Sequence, residues 1–466
     1  MIILLLACDG SGDSGPAPDD VPVKVTLVSP TADEVSDECG DVCFEVAVTE
    51  HGQPLTGAEV DLELYEWGYA FADLVTRDDG IASFCTQGIP AGTHDLVVAA
   101  THERYPGETF SSPGSLTVAP FGHAMGFDRP TGTYPSVPYV PEFVDYPENP
   151  ALPPTGTEED FDGVGTILAS VATDGEDYYM WYAGQQVLGG DYLIGAASSP
   201  DGLRWTRLGM GEASEPSGIE GDWKAYSTNS PFLMLDGSEW RLYYTGRRTE
   251  DGDLSIGLAT STQYQSAHGS PGDAFLVSDL LPIERGGDNP VLDHIDDEEL
   301  WGGNAVAHPS VVKNPQGFYE MWYSTARHRV GYALSPDGVD WTHYCNNPVF
   351  EGEGELGHWE AGRVKSTEVA MLGNAYVMTY TGGDTGFFQV GWAMSIDGLH
   401  WTRLDEPIFP SDPDSDWKNA STLGASLLVD EEAGLLRAWY SGTYSGGGNA
   451  GSAIGYAEAE LPTSMP

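Results

Sequence analysis

The chain has 466 residues, of which 40% are hydrophobic and 11% aromatic, and it contains 59 Gly and 32 Pro. This composition excludes a globally disordered chain and favours short strands joined by tight turns over long helices. The 72 acidic and 19 basic residues give a formal charge of −53. That charge argues against nucleic acid as a partner, because phosphate binding requires a basic surface.

A short apolar run opens the chain and ends at Cys8. It is too short to span a bilayer, which needs about 20 residues. The run Leu5-Leu6-Ala7-Cys8, followed by a Gly/Ser/Pro/Asp-rich linker over residues 9–21, resembles a bacterial lipobox. The resemblance implies that residues 1–8 are a signal remnant and that Cys8 is lipidated. We therefore expect an exported protein held at the bacterial cell envelope or surface by a lipid anchor alone.

Three further cysteines fall within the first hundred residues, at Cys39, Cys43 and Cys85. In an oxidising compartment this spacing predicts one disulfide bond. Cys43 with Cys85 is the preferred pair, and Cys39 with Cys85 is the alternative.

Residues 22–118 alternate apolar and polar side chains in short runs separated by turn signals, as in Val60–Leu64 and His94–Val98. This pattern predicts an antiparallel β-sandwich. The stretch from Gly52 to Val60 resembles bacterial immunoglobulin-like or transthyretin-like modules, which implies a spacer role. Residues 119–157, rich in Pro, Gly and Tyr, are predicted to form a linker.

Residues 158–462 contain a motif that recurs about every 60 residues, and such a period defines a repeat architecture. Each copy has an aromatic segment such as Met321-Trp-Tyr-Ser324, and a second segment such as Val330-Gly-Tyr-Ala333 follows it. Three copies continue into Asp-Gly turns followed by Trp. The shared tyrosines are Tyr182, Tyr244, Tyr323, Tyr380 and Tyr440. Four strands in each of five copies predict an all-β protein in which a five-bladed β-propeller follows the N-terminal sandwich.

The order of these motifs resembles the arabinanase and invertase superfamily, with glycoside hydrolase family 43 as the nearest relative. The resemblance implies three acids near the propeller axis, on the inner strands of blades one, three and four. Asn304–Ser310 matches the third-blade stretch of that family, but His308 stands where its acid belongs. Leu168 and Lys365 occupy the other two positions.

Four residues near these positions are candidates for proton transfer. Glu368 lies three residues beyond Lys365, and Asp162 and Glu360 each follow the aromatic residue that opens a repeat. His308 is the fourth candidate. For each acid, the alternative is a solvated carboxylate, and for His308 it is a buried imidazole bonded to the backbone.

Basic residues are concentrated in the loops that open on the predicted binding face. Together with stacking aromatic residues, they predict a site for an anionic sugar, such as a uronate or a sulfated sugar. The predicted ligand-binding residues are Arg247, Arg248, Arg327, Arg329, Arg363, Lys365, Trp223, Trp301 and Trp359, with His328 beside them. The alternative is that these bases pair with neighbouring acids.

Three functions follow from this interpretation. The first is a glycosidase acting on a polysaccharide at the cell surface, and the second is a non-catalytic glycan-binding or assembly module that has lost the acids. The third is a structural surface protein whose mouth is plugged by residues 119–157. Acidic runs at 296–299 and 412–416 offer oxygen ligands for Ca²⁺ but lack EF-hand spacing. We therefore predict no metal and no cofactor, and we expect a monomer.

Overall fold

The computed structural model describes residues 23–31, 35–64, 69–86, 89–130, 139–210, 216–250, 252–261, 281–282, 289–294, 301–354, 358–384, 387–446 and 449–462. The chain divides into two compact units, Met1–Asp128 and Arg129–Pro466. The described residues are nearly all β: they include one short 3-10 helix, His123–Met125, and no α-helix. No helix among them is long and apolar enough to cross a membrane.

The described part of the N-terminal unit consists of two sheets. Its strands are Val23–Ser29 (β1), Val35–Asp37 (β2), Val42–Glu50 (β3), Gln53–Pro54 (β4), Glu59–Leu64 (β5), Tyr69–Val75 (β6), Ile81–Thr86 (β7), Gly92–Thr101 (β8) and Phe110–Ala119 (β9). One sheet has the order β1-β3-β4 with β7 paired to β3, and the other has the order β2-β9-β8-β5-β6.

One hydrophobic core joins these two sheets, because alternate side chains on each strand point inward. Along β5, for example, every second residue is buried. Phe44 from the first sheet and Leu62 and Val98 from the second are all fully buried in this core. Cys43 lies opposite Cys85 in the β3–β7 register, and a disulfide bond joins the two residues.

The second unit is built from five consecutive four-stranded antiparallel groups, called repeats 1 to 5 here. Repeat 1 comprises Gly165–Thr173 (β11), Tyr178–Gln185 (β12), Tyr192–Ser199 (β13) and Thr206–Met210 (β14). Repeat 2 comprises Ser227–Asp236 (β15), Glu239–Arg247 (β16), Leu254–Ser261 (β17) and Leu281–Pro282 (β18). Repeat 3 comprises Val306–Lys313 (β19), Tyr319–Thr325 (β20), Val330–Ser335 (β21) and Thr342–His343 (β22). Repeat 4 comprises Val364–Leu372 (β23), Ala375–Asp384 (β24), Phe387–Ser395 (β25) and Thr402–Arg403 (β26).

Repeat 5 takes its fourth strand from an earlier part of the chain. It comprises Ser421–Asp430 (β27), Leu435–Gly446 (β28) and Asn449–Glu460 (β29), with Val144–Asp145 (β10) paired to β29. Residues of the predicted linker 119–157 therefore take part in the last repeat. Tyr139 and Phe143 also pack against Trp392 of repeat 4.

The first strands of the five repeats form a closed ring. Strand β11 contacts β15, β15 contacts β19, β19 contacts β23, β23 contacts β27, and β27 contacts β11. The successive strands of each repeat run outward from this ring. Residues on the ring strands therefore converge on a common centre.

The repeated aromatic and glycine motifs pack against each other within each repeat. Trp223 lies over Gly246 and Gly257, and a side chain at either glycine would collide with the indole. Trp359 covers Gly382 and Gly391 in the same way. In these two repeats, the glycine two residues after the shared tyrosine and the glycine of the Ile/Val-Gly-x-Ala segment thus allow the close approach of the aromatic residue that opens the repeat.

Candidate functional site: a pocket at the centre of the ring

Each first strand of the ring contains one residue in the left-handed backbone region, at the same place in every repeat. These residues are Leu168 (φ 55°), Ser230 (φ 48°), His308 (φ 52°), Ser366 (φ 49°) and Gly424 (φ 49°). At each of them the pairing with the second strand is interrupted by a register shift. Non-glycine residues rarely adopt this conformation, and such strain is concentrated at functional sites.

Hydroxyl side chains on the neighbouring repeats support four of these five bulges. The backbone N–H groups of His308, Ser366, Gly424 and Leu168 donate to Thr245 Oγ1 (3.0 Å), Ser324 Oγ (2.9 Å), Thr381 Oγ1 (2.9 Å) and Ser441 Oγ (2.9 Å). In repeat 1 the corresponding residue is Ala183. Because each bond joins two repeats, the bulges are part of the contact between repeats.

The five bulges line a small pocket of about 30 Å³, called the axial pocket here, together with the residues that follow them and Glu368. In the middle of its polar side, His308 Nδ1 lies 2.7 Å from Ser230 Oγ and 3.3 Å from Ser366 Oγ. Burial, Lys365 and His328 lower the pKa of His308 to about 3. The imidazole is therefore neutral at ordinary pH and a weak general base.

Glu368 occupies a position that serine holds in three other repeats. Ser170, Ser310 and Ser426 each accept a backbone N–H from the next repeat. Glu368 plays that role in repeat 4, since it accepts the Leu427 N–H and also the Ser426 hydroxyl at 2.8 Å. Burial raises the pKa of Glu368 to about 8, so the carboxyl is largely protonated at pH 7.

Asp162 and Glu360 do not line the axial pocket, and their carboxylates are engaged elsewhere. Asp162 accepts hydrogen bonds from Tyr182 Oη (2.9 Å) and Arg207 Nε (2.7 Å) and is 1% exposed. Glu360 accepts from Tyr380 Oη at 2.6 Å, from an Arg403 guanidinium N–H at 2.7 Å and from the Glu353 backbone N–H at 2.6 Å. This placement leaves neither carboxylate available to a ligand in the axial pocket.

Sequence reasoning missed Arg207 and Arg403, although a signal for them was present. Trp-Thr-Arg closes repeats 1 and 4, the two repeats that begin with an aromatic residue followed by an acid. Repeat 3 has Gly302 instead of the acid and ends in Trp-Thr-His343. An acid after the opening aromatic residue is therefore accompanied by an arginine at the end of the same repeat, as expected for a contacting pair.

Most of the predicted binding arginines form ion pairs. Arg247 pairs with Asp191 at 2.7 Å and Arg329 with Glu351 at 2.7 Å. Arg327 lies in the loop after β20, beside Gly303. These placements favour the alternative that the basic residues of the predicted binding face are paired with acids.

The predicted aromatic platforms are packing residues in this structure. Trp223, Trp301 and Trp359 lie against the tyrosine of their own repeat, with ring centroids 5.3 to 6.2 Å apart. The glycines described above lie directly beside the indoles of Trp223 and Trp359, and Gly331 lies beside that of Trp301. This arrangement gives these tryptophans a role in packing within the repeats.

One group of side chains has the composition of a metal site. Single ligand atoms of Asp253, Asp293 and His294 all lie within 4.8 Å of one another. However, Arg248 approaches Asp293 at 2.8 Å and Asp253 at 3.5 Å and already supplies a cation. We assign no metal to this cluster. Of the two predicted acidic runs, residues 296–299 lie outside the described residues, as does Cys8.

No protein-family model matches the chain, and no curated protein matches it. Several solved structures are similar in fold. One is from the GH130 family of mannoside phosphorylases, which contains glycoside hydrolases that target β-1,2 mannosidic linkages in Candida mannan. The similarity has a TM-score of 0.51 at 17% identity and covers 71% of this chain and 98% of that chain.

Two structures from Bacteroides ovatus are similar to the same extent. One is a putative glycoside hydrolase (TM-score 0.51, 15% identity, covering 70% of this chain and 99% of that one). The other is a glycosyl hydrolase (TM-score 0.50, 17% identity, covering 70% and 99%). At these identities the similarity establishes the fold, and the chain has the nearly all-β fold of propeller glycoside hydrolases.

Proposed function

We propose that the protein is a carbohydrate-active propeller, composed of an N-terminal β-sandwich and five blades, that binds a polysaccharide in its axial pocket. The observation that carries this proposal is the ring of five strained bulges, which presents hydroxyl, imidazole and carboxyl groups to one pocket. Sugar hydroxyls are recognised by such groups together with apolar contacts. The fold shared with glycoside hydrolases supports the same ligand class.

Binding without hydrolysis is the favoured activity. Glycoside hydrolysis ordinarily requires two carboxyl groups on either side of the scissile bond. Among the described residues that line the pocket, Glu368 carries the one carboxyl group. Asp162 and Glu360 are held by tyrosine and arginine, so they do not supply the second.

Hydrolysis is the second candidate, because Glu368 has one property of a general acid. Its raised pKa, about 8, keeps it protonated at neutral pH, as a proton donor to a leaving group must be. In that mechanism the ligand or the solvent supplies the attacking group.

A panel of neutral, uronic and sulfated polysaccharides tests both candidates. Affinity is measured by calorimetry, and release of reducing ends is followed in parallel. We expect binding to at least one polysaccharide with no release of reducing ends. Release that is abolished in Glu368→Gln, but not in the control Glu353→Gln, would instead establish the hydrolase. A lack of binding to every member would contradict the proposal.

For its location, we propose export and lipid anchoring through Cys8 at the cell surface, with a polysaccharide as partner and a monomeric state. The lipobox resemblance of residues 5–8 supports this proposal. Membrane fractionation of the full chain and of Cys8→Ala tests it. The full chain is expected in the membrane fraction and the variant in the soluble fraction.

A further inference from the structure

A cluster of basic side chains lies next to residues that line the axial pocket: Lys365 on strand β23, Arg363 just before that strand, and His328 in the loop before β21. Arg363 and Lys365 flank Val364, whose backbone N–H donates to the carbonyl oxygen of His328 at 3.0 Å. This bond holds the β20–β21 loop against the start of β23. His308 lies on the adjacent strand β19, beside Ser366.

Acids of the described part of the chain do not neutralise this cluster. Among the described residues, no carboxylate lies within ion-pair distance of Lys365, Arg363, His328 or His308. Lys365 Nζ lies 4.0 Å above the ring of Phe388, a contact that leaves its N–H donors available. In a protein with a formal charge of −53, most other basic side chains around the mouth have acidic partners.

The electrostatics of the neighbouring groups are consistent with a locally positive potential. Burial and then Arg363 lower the pKa of Lys365. Burial, Lys365 and Arg363 lower the pKa of His328. Glu368, the one acid lining the pocket in the described residues, is kept largely protonated by burial and does not offset the positive charge near pH 6.

The opposite side of the ring is apolar. Ile167 and Leu423 occupy the positions that correspond to Lys365 in repeats 1 and 5, and they pack with Leu168 and Tyr192. The residues around the axial pocket are therefore basic where repeats 3 and 4 contribute them and apolar where repeats 5 and 1 contribute them. A sugar ring that carries an anionic group has both kinds of surface.

We propose that Lys365, with His308 and His328, forms an oxyanion subsite at the mouth of the axial pocket. The group it binds is a carboxylate or sulfate carried by a glycan, or the same chemistry in a free inorganic oxyanion. Lys365 supplies the charge, the two imidazoles supply directed hydrogen bonds, and Arg363 adds to the positive potential. This inference rests on the proposed function, because it names the class of sugar that the pocket binds.

Calorimetry at pH 6 tests the subsite with three probes: an oligogalacturonate, a neutral oligogalactan of equal length, and inorganic phosphate alone. We expect the oligogalacturonate to bind more tightly than the neutral oligosaccharide. Lys365→Met should weaken oligogalacturonate binding about tenfold or more, and Lys365→Arg should retain most of it. Lys313→Met, a lysine paired with Asp236 at the far end of β19, is the matched control and should have no effect.

Each outcome separates the subsite from the proposed function. Equal affinities for the charged and neutral oligosaccharides, or no loss in Lys365→Met, would overturn the subsite and leave glycan binding intact. Binding of phosphate that depends on Lys365, without binding of either oligosaccharide, would support the subsite and contradict the glycan function. Loss of affinity from pH 6 to pH 9, as Glu368 ionises beside the subsite, would support the subsite further.

Discussion

Carboxyl groups are buried in two different settings in the propeller unit. In repeats 1 and 4, Asp162 and Glu360 are clamped between a tyrosine hydroxyl and an arginine. At the axial pocket, Glu368 is bonded to a serine hydroxyl and a backbone N–H, without a cation. Burial alone therefore does not mark a functional acid: the clamped carboxylates stabilise contacts between strands, and the unclamped carboxyl faces the pocket.

Repeat 5 shows that the clamp is a structural device. There the residue after Trp417 is Lys418, which lies 2.6 Å from Asp145 and 2.9 Å from Tyr440 Oη. In repeat 4 the acid follows the tryptophan and the base lies on the fourth strand, whereas in repeat 5 the base follows the tryptophan and the acid lies on the fourth strand. Tyr440 Oη still donates a hydrogen bond to the acid, at 2.7 Å. Because this position accepts either an acid or a base, its role is in packing. This argues against proton transfer by Asp162 or Glu360.

Breaking the clamp should have the largest effect on stability. Glu360→Gln leaves Arg403, which is partly buried, without its buried ion-pair partner and is expected to lower the free energy of unfolding by about 3 kcal/mol. Chemical denaturation measures the loss. Glu353→Gln is the control, because Glu353 contacts the same arginine at 3.4 Å but is 68% exposed, and it should cost under about 1 kcal/mol. Equal losses in the two variants would contradict the clamp.

Replacing Glu368 by glutamine should raise the free energy of unfolding, which is the opposite of the effect expected for Glu360→Gln. Because the pKa of Glu368 rises from 4.5 to about 8 on folding, its ionisation in the unfolded chain lowers stability as pH rises between those values. Glu368→Gln removes this penalty. The variant should match the wild type near pH 4.5 and exceed it by roughly 2 to 3 kcal/mol near pH 6.5.

Denaturation across this pH range measures that effect, with the exposed Glu431→Gln as control. A stability difference between Glu368→Gln and the wild type that does not grow with pH would contradict a protonated Glu368. The two buried acids are then distinguished by the sign of the effect, because Glu360→Gln is expected to destabilise the protein and Glu368→Gln to stabilise it.

The hydroxyl supports of the bulges should have the smallest effect. Thr381→Val keeps the shape of the side chain and removes the acceptor of the Gly424 N–H. The expected loss is about 1 kcal/mol. Thr402→Val on strand β26 is the control and should change stability by less than half as much. If the two substitutions cost the same, the bond between repeats 4 and 5 contributes nothing specific.

Local sequence was informative about the strands and less so about the site. Alternation in the first unit and the aromatic and glycine motifs of the second predicted an all-β chain with repeating four-stranded groups. The bulges were not foreseen, since four of the five left-handed residues are not glycine. Gly424, the one glycine at this position, was the available signal.

The period, the strand-forming segments and the positions of the aromatic and glycine motifs could be predicted from the sequence, because they depend on residue type at fixed spacing. The pairing of charges, in contrast, depends on the three-dimensional fold. Glu360 and Arg403 are 43 residues apart, and Lys418 and Asp145 are 273 residues apart. The pKa of a carboxyl and the availability of a cation depend on what closes around them in space, so the role of Glu368 and Lys365 followed only from the folded ring.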